Sequence, residues 1–290
     1  MFFSVVIPTY NRRALLERCL KALTDLDFPK NEYEIIVVDD GSADGTKEYL
    51  VGLKDPNIRV YLRDHGGPAK ARNYGVRNAI GSNVAFTDDD CFVPGDWLSR
   101  LKEGLEKWPK AAAVGGYLEA PAEILSEKVV ARLESLETRE VYKAGKEDYL
   151  GGFESPAGGT NNIVYRKAVF NKLNGFDENF PEPAGEDADL KYRAVQMGFK
   201  FGYIPLKVTH LDPYSFKTFL KRSLRSGIGS AYFEKKHFNK TDTFVGLSTI
   251  LLKALVNLIF SVICVNKLAA ARYLKEIFMI YGRAKLTFNL

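Results

Sequence analysis

The sequence predicts an α/β protein with a mostly parallel sheet flanked by helices and a helical carboxyl-terminal tail. Three observations carry that expectation. Short apolar runs alternate with helix-patterned segments through the first half of the chain. Those runs are apolar throughout rather than alternating, as strands covered on both faces are. Polar clusters follow three of them, where an open α/β sheet binds its ligands.

In chain order, Ser4–Ile7 is the first strand expected, and Arg13–Leu23 follows as an amphipathic helix with Leu15, Leu16, Cys19, Leu20 and Leu23 at helical spacing. Glu34–Val38 is a strand ending in Asp39-Asp40-Gly41-Ser42, and Asp44–Leu53 a helix with an Asp at its start. Ile58–Leu62 is a third strand. Pro68–Ile80 is a helix with proline in its first turn, where the missing N–H costs nothing. Val84–Thr87 is a fourth strand and Asp96–Trp108 the next helix. Beyond it, Ala112–Leu118 reads as a strand, Glu123–Glu140 as one polar amphipathic helix, and Gly151–Gly159 as a glycine-rich loop over the site. Gly185-Glu186-Asp187 opens a helix that runs to Met197 and stops at Gly198. Phe199–Ile204 and Val208–Thr209 are further strands, the second ending at His210.

The 290 residues suffice for one large core or two modest ones, and a composition of 46% hydrophobic and 27% charged residues is that of a globular protein. Cys19, Cys91 and Cys264 are odd in number and far apart, which supplies neither a disulfide framework nor zinc spacing and fits a reducing compartment. Met1-Phe2-Phe3-Ser4-Val5 leads straight into strand-like sequence, so no signal peptide is expected. Charge is uneven. From Lys207 onward there are 14 basic and 4 acidic residues, against 27 basic and 32 acidic before it. A basic tail beside apolar runs points to phosphate, on a substrate or a membrane surface, and away from nucleic acid.

The feature with the most chemistry is Asp88-Asp89-Asp90, at the end of the fourth strand. Three adjacent carboxylates repel one another, so such a run calls for a cation, or else for full solvation as an acidic turn. A hard divalent ion, Mg²⁺ or Mn²⁺, takes one or two protein carboxylates together with substrate phosphates. Pro8-Thr9-Tyr10-Asn11 and Asp39-Asp40-Gly41-Ser42 end two other strands and converge on the same crevice, while Lys70, Arg72 and Asn73 after Gly66-Gly67 add phosphate contacts near a helix start. No Gly-x-Gly-x-x-Gly follows the first strand and no Gly-Lys-Ser/Thr loop is present, which sets aside dinucleotide-binding and P-loop folds.

Six ordered motifs together resemble a known family. They are Val6-Ile7-Pro8-Thr9-Tyr10-Asn11-Arg12; Val37-Val38-Asp39-Asp40-Gly41-Ser42 with Asp44-Gly45-Thr46; Gly67-Pro68-Ala69-Lys70-Ala71-Arg72-Asn73; the Asp-x-Asp element at Asp88–Asp90; Gly159-Thr160-Asn161; and Gly175-Phe176-Asp177 followed by Gly185-Glu186-Asp187-Ala188-Asp189-Leu190. Over residues 3–230 the chain resembles family 2 glycosyltransferases of the GT-A fold. The resemblance implies a single Rossmann-like domain at 1–230, and the pattern of the remaining residues, 231–290, is that of a membrane-associated helical tail. It also implies a nucleotide-sugar donor, a UDP-sugar first of all, and a divalent metal, with inversion at the anomeric carbon. Pro8, Thr9, Asn11, Asp39, Asp40, Arg72, Asp88 and Asp89 fall where the family holds the nucleotide. Asp88, Asp90 and His210 fall where it holds the metal, and Gly159, Thr160 and Asn161 where it holds the donor sugar and acceptor. Inversion needs a general base for the acceptor hydroxyl. Asp187 is the expected base, with Glu186 and Asp189 as competitors; by themselves, acids in a first helical turn are equally well explained by the helix dipole. The Gln-x-x-Arg-Trp element of processive members is replaced by Arg222-Ser223-Leu224-Arg225-Ser226-Gly227, which suits single-sugar transfer, with Lys70, Arg222 and Arg225 as candidate diphosphate contacts.

Phe244–Val265 is 22 residues long, enough to span a bilayer, but Lys253 sits near its centre and Thr249, Lys253, Asn257 and Ser261 form a polar stripe. Such a helix lies in the membrane interface, or packs its stripe against the catalytic domain. Lys267–Lys285 reads as an interfacial amphipathic helix. Attachment to the cytoplasmic face of the cell membrane and a glycan or lipid-linked acceptor are therefore expected. The alternatives are a sugar nucleotidyltransferase, which wants a glycine-rich basic loop after the first strand, and a catalytically silent glycan-binding scaffold, which would lack the carboxylates.

Overall fold

The structure, a computed structural model, describes residues 2–141, 145–211 and 214–288. In chain order the elements are β1 (Phe3–Thr9), α1 (Arg13–Thr24), β2 (Tyr33–Asp39), α2 (Thr46–Val51), β3 (Ile58–Leu62), α3 (Pro68–Asn78), β4 (Asn83–Phe86), β5 (Cys91–Phe92), α4 (Trp97–Lys107) and β6 (Ala113–Glu119). Then follow α5 (Ala122–Glu127), α6 (Val129–Val141), β7 (Tyr149–Gly151), β8 (Ile163–Arg166), α7 (Lys167–Lys172), α8 (Glu186–Gln196), β9 (Phe201–His210), α9 (Phe216–Phe238), α10 (Phe244–Ile263) and α11 (Lys267–Phe288). The chain forms two compact units: residues 1–119, 138–178 and 187–211 make the first, and 120–137, 179–186 and 212–290 the second. Residue 230, where the sequence reading sets its boundary, lies within α9.

The first unit contains the sheet, in the order β3-β2-β1-β4-β8-β6-β9-β5, with β7 paired to β9. β3, β2, β1 and β4 are mutually parallel, as the alternation of strands and helices predicts. Parallel pairing then gives way to a mixed arrangement: β4–β8, β6–β8, β7–β9 and β5–β9 are antiparallel, and only β6–β9 is parallel. The two strands expected at 199–209 are one continuous strand, β9. The glycine-rich segment begins as a strand, because Tyr149–Gly151 pairs with β9 before the loop starts. The helix expected over 123–140 is two helices, broken where Lys128 takes an extended backbone.

Period-2 alternation along β1 builds a core on each face of the sheet. Phe3, Val5 and Ile7 pack with Leu16, Cys19, Leu20 and Leu23 of α1 and Trp97, Leu98 and Leu101 of α4. Val6 faces the other way and joins Ile36, Val38, Ala71 and Val76 with Phe86, Tyr165, Phe170 and Phe176. Helix α3 approaches β1 closely because position 75 is glycine: a Cβ there would stand 2.5 Å from a Val6 methyl. Pro68 occupies its first turn, after Gly67 at a left-handed φ of +93°.

The second unit is helical. Arg283 of α11 donates to Glu234 at 2.8 Å and to Asp242 at 2.9 Å, so one guanidinium ties together α9, α11 and the turn before α10. Leu247 and Ala254 of α10 are buried with Ile280 of α11, and Leu251 and Ile277 pack beside them. The polar stripe is not the packed face. Thr249, Lys253 and Asn257 are exposed and only Ser261 is buried, since the buried row is the apolar one. Ile250, Leu252, Val256, Ile259, Phe260 and Ile263 are also exposed, Phe260 at 68%.

Candidate active site

Parallel register brings the polar strand ends together in the first unit. Thr9 lies opposite Asp39 in the β1–β2 ladder, and the Asp40 N–H bonds to the Thr9 carbonyl at 2.9 Å. β4 runs beside β1, so the acidic run leaves the sheet next to Thr9, whose hydroxyl donates to Asp89 Oδ2 at 2.8 Å. β5 pairs Cys91 with His210, which sets His210 Nε2 3.5 Å from Asp90 Oδ2. Sequence separation of 120 residues thus closes to one contact.

The three aspartates have different partners. Asp88 Oδ1 accepts from Arg72 Nη2 at 2.6 Å, and Arg72 is buried on α3. Asp89 and Asp90 share Arg12, whose Nη1 lies 3.1 Å from Asp89 Oδ1 and 2.5 Å from Asp90 Oδ2. Burial pushes the Asp89 carboxyl up to about 7, against the pull of Arg12 and with repulsion from Asp90 adding to the rise. Burial also acts on Asp90, but His210 and Arg12 outweigh it and hold that carboxyl well below the usual range. The solvated acidic turn does not describe this run, because Asp89 and Asp90 are buried and clasped.

Asp39 and Asp40 serve the loops around the crevice. Asp39 Oδ1 accepts from the Ser42 N–H at 3.1 Å. Asp40 Oδ2 accepts from the Gly67 N–H at 2.7 Å and lies 2.9 Å from His65 Nδ1, while both its oxygens receive the Gly66 N–H at 3.1 Å. Asp40 thereby fixes the turn that starts α3. His65 stacks on exposed Tyr10 with ring centres 4.1 Å apart, an aromatic pair at the crevice edge. Asn11 laces the β1 and β2 ends: its side chain accepts from the Ala43 N–H at 2.7 Å and its N–H donates to Ser42 Oγ at 2.8 Å. Pro8 is buried within β1, and Lys70 is partly buried on α3 against Gly66.

The opposite wall comes from the segment before β8 and from α8. Thr160 is buried, and the Asn161 carbonyl accepts from Thr87 Oγ1 at 3.2 Å, joining the Gly159-Thr160-Asn161 element to the start of the acidic run. Asp187, in the first turn of α8, is within electrostatic range of both Arg72 and Asp88. Removal from water raises its pKa, the Ala188 N–H and Arg72 pull it back, and Asp88 adds to the rise. A carboxylate raised in this way is a better proton acceptor near neutral pH. Asp189 is occupied elsewhere, fully buried and bonded by Arg193 Nε at 2.8 Å. Glu186 is buried and belongs to the second unit, as do Arg222 and Arg225, which pair with Glu134 at 2.7 Å and Glu182 at 3.3 Å.

Asp90 and His210 supply a carboxylate oxygen and an imidazole nitrogen side by side, donors that fit Mn²⁺ or Mg²⁺ when a diphosphate completes the shell. Asp88, expected beside them, is turned to Arg72 instead, and among the described residues no three His, Cys, Asp or Glu side chains form a metal-holding group. Arg12, Asn162 and Lys191 were not singled out from the sequence. Arg12 closes the first strand motif, and only the fold puts it on the aspartates. Asn162 Oδ1 accepts from Trp97 Nε1 at 2.9 Å, and its amide donates to the Leu206 and Tyr117 carbonyls at 2.8 and 3.2 Å, which anchors the end of the Gly159–Asn161 element. Its signal was a polar pair, Asn161-Asn162, set directly before an apolar strand.

The sequence profile described as Glycosyl transferase family 2 matches residues 4–173. The chain belongs to glycosyl transferase family 2. Its fold is the GT-A type. A dolichyl N-acetyl-alpha-D-glucosaminyl phosphate 3-beta-D-2,3-diacetamido-2,3-dideoxy-beta-D-glucuronosyltransferase of Methanococcus voltae is 26% identical over 254 residues, 82% of this chain and 76% of the relative. Glycosyltransferase AglE of Haloferax volcanii is 40% identical over 102 residues, so the match spans only about a third of each chain, 34% in both cases. Among solved structures, the mannosyltransferase PcManGT from Pyrobaculum calidifontis, in complex with GDP-Man and Mn²⁺, superposes with a TM-score of 0.70 at 18% identity, covering 99% of this family member and 87% of the mannosyltransferase.

Proposed function

We propose that this family 2 enzyme is an inverting, metal-assisted, non-processive glycosyltransferase. It moves a sugar from a nucleoside diphosphate donor, a UDP-sugar first of all, to a hydroxyl of a glycan or lipid-linked acceptor at a membrane surface. The observation that carries this is the position of Asp187: a carboxylate with a raised pKa lies in the field of Arg72 and Asp88, beside the strand ends where the nucleotide is expected.

In the proposed reaction the acceptor oxygen attacks the anomeric carbon and the bond from that carbon to the diphosphate breaks. Asp187 takes the hydroxyl proton, and the electron pair leaves with the nucleoside diphosphate. Thr9, Asp39 and Asp40 shape the nucleotide pocket. Arg72 holds Asp88 toward the donor, and Gly159–Asn161 lines the sugar side. Asp90 and His210 would hold the divalent ion, which when bound neutralises charge on the diphosphate. The sequence at 222–227 favours transfer of single sugars.

The exposed apolar face of α10 supports attachment to a membrane. The candidate span Gly246–Ile263 is long and apolar enough to cross one, but its exposed Lys253 favours an in-plane helix on the cytoplasmic leaflet. The Methanococcus voltae relative, named for a dolichyl N-acetyl-alpha-D-glucosaminyl phosphate, supports a lipid-linked acceptor.

Turnover of a panel of nucleotide sugars with Mn²⁺, by wild type and Asp187→Asn, tests the reaction. Transfer should vanish in the variant while Mn²⁺–nucleotide binding stays within about twofold, since a base contributes ~10²–10⁴ to rate and little to donor affinity. Loss of nucleotide binding in a folded variant would move Asp187 to the donor site and remove the base.

A further inference from the structure

Lys191 lies one helical turn after Asp187 on α8 and is only 7% exposed. Its Nζ donates to the Ser155 carbonyl at 2.5 Å and stands 5.5 Å from the ring centres of both Phe153 and Phe201. Gly158 leaves room for its stem: a Cβ at that position would be 3.1 Å from Lys191 Cδ. The neighbouring residues of α8 extend the same contact. Tyr192 meets Phe153 edge-on at 5.9 Å, and a Cβ on Gly152 would be 3.6 Å from a Val195 methyl.

Residues 152–158 therefore rest on α8, fastened through one buried ammonium, while the next residues run to Asn161 and its bond from Thr87. Burying an amine among aromatic rings costs desolvation, and an apolar side chain of similar length would fill the same channel without that cost. What the amine supplies, and methionine would not, is a directed hydrogen bond to a loop carbonyl.

We propose that Lys191 is a positioning residue for sugar transfer: by holding the Ser155 carbonyl it fixes residues 152–158 on the helix that carries Asp187, so that Gly159–Asn161 and the Asp187 carboxylate keep one spacing. This rests on the reading of Asp187 as the base. Misplacing reacting groups by about an ångström costs on the order of 100-fold in rate, whereas nucleotide contacts at the far strand ends are untouched.

The test uses the full chain as wild type, Lys191→Met, Lys191→Arg and Asp187→Asn. Hydrogen–deuterium exchange of the peptide covering 152–161 should rise about tenfold in Lys191→Met, with β1 and β2 unchanged, and less in Lys191→Arg, which keeps a donor. Turnover of UDP-GlcNAc and GDP-mannose with Mn²⁺ should show kcat down roughly 10- to 100-fold in Lys191→Met, partly restored in Lys191→Arg, at unchanged affinity for Mn²⁺–UDP or Mn²⁺–GDP. Unchanged exchange in 152–161 overturns the anchor, and a loosened segment with wild-type kcat overturns the positioning role. If Lys191→Met does not fold, Lys191→Arg decides: an intermediate loss of protection in 152–161 and of kcat together is required, and any other outcome overturns the proposal. A wild type that turns over neither sugar sinks the catalytic part outright. Asp187→Asn with full turnover removes the base instead, whatever the exchange of 152–161 shows.

Discussion

Arg12 Nη1 stands 2.5 Å from Asp90 Oδ2, the same oxygen that faces His210 Nε2 at 3.5 Å. A guanidinium thus occupies one side of the carboxylate that is the best candidate for a divalent ion, and it also bridges to Asp89. The pair satisfies the charge of two adjacent, buried aspartates, a local arrangement that would otherwise be self-repelling.

Arg12→Ala should strengthen Mn²⁺ binding to the nucleotide-free protein, because a competing cation is removed from Asp90. The Arg12 side chain is 47% exposed, so the ion pair is discounted for solvent screening to about 1 kcal/mol, or roughly fivefold in affinity. Electron paramagnetic resonance of free Mn²⁺ measures it. Weaker binding in the variant would mean that Arg12 orients Asp90 for the metal rather than competing with it.

Arg72→Met should shift the pH dependence of transfer. A base acts when deprotonated, so the rate rises with pH through the pKa of Asp187, which burial already raises. Arg72 pulls that pKa down, and its loss moves the acidic limb of kcat to higher pH. The variant also leaves Asp88 without its 2.6 Å partner, at a cost of about 2–3 kcal/mol in urea unfolding. An acidic limb at the same pH in both proteins would separate Arg72 from Asp187.

Lys191→Met should alter the dependence of stability on pH in one window. Burial lowers the Lys191 pKa from 10.5 to about 8, with Glu154 and Asp187 opposing the fall. Between about 8 and 10.5 the unfolded chain binds the proton and the folded one does not, so wild-type stability gains from rising pH there. Below about 8 the buried charge is a full cost, on the order of 3 kcal/mol at most. Lys191→Met should therefore be the more stable protein at pH 7 and lose that margin by pH 10.5. A margin that stays constant across the window would contradict a buried, charged Lys191.

Ile259→Glu with Phe260→Glu should abolish flotation with liposomes containing anionic lipid. Both side chains are exposed on α10, at 60% and 68%, so the fold tolerates the change. Each buried leucine-sized side chain contributes about 1.5–3 kcal/mol to insertion, and two lost contacts plus two repelled carboxylates amount to a 100-fold or greater loss. Flotation equal to wild type would rule out this face as the membrane contact.

Much of the first unit was legible in the sequence because its strands are apolar throughout and its helices are punctuated by Pro68, Gly185 and Gly198. The same local signals fail where a contact decides. Lys128 interrupts a continuous helical pattern, and Tyr149–Gly151 is a strand because β9 offers it an edge. On α10 the sequence leaves the polar row either at a membrane interface or packed on protein; Leu247 and Ala254 are buried and Lys253 is exposed, since burying an unpaired ammonium costs more than packing an apolar row.

By itself the sequence determined which strands end in polar residues, and so which side chains gather at one edge of the sheet. A run of three aspartates said only that cations must be near. Only the tertiary structure decided which cation serves which carboxylate, because consecutive residues leaving a strand point in different directions. Asp88 thereby meets Arg72 from 16 residues away, Asp90 meets His210 across the β5–β9 pairing, and Arg12 reaches back from the end of β1 to hold Asp89 and Asp90 together.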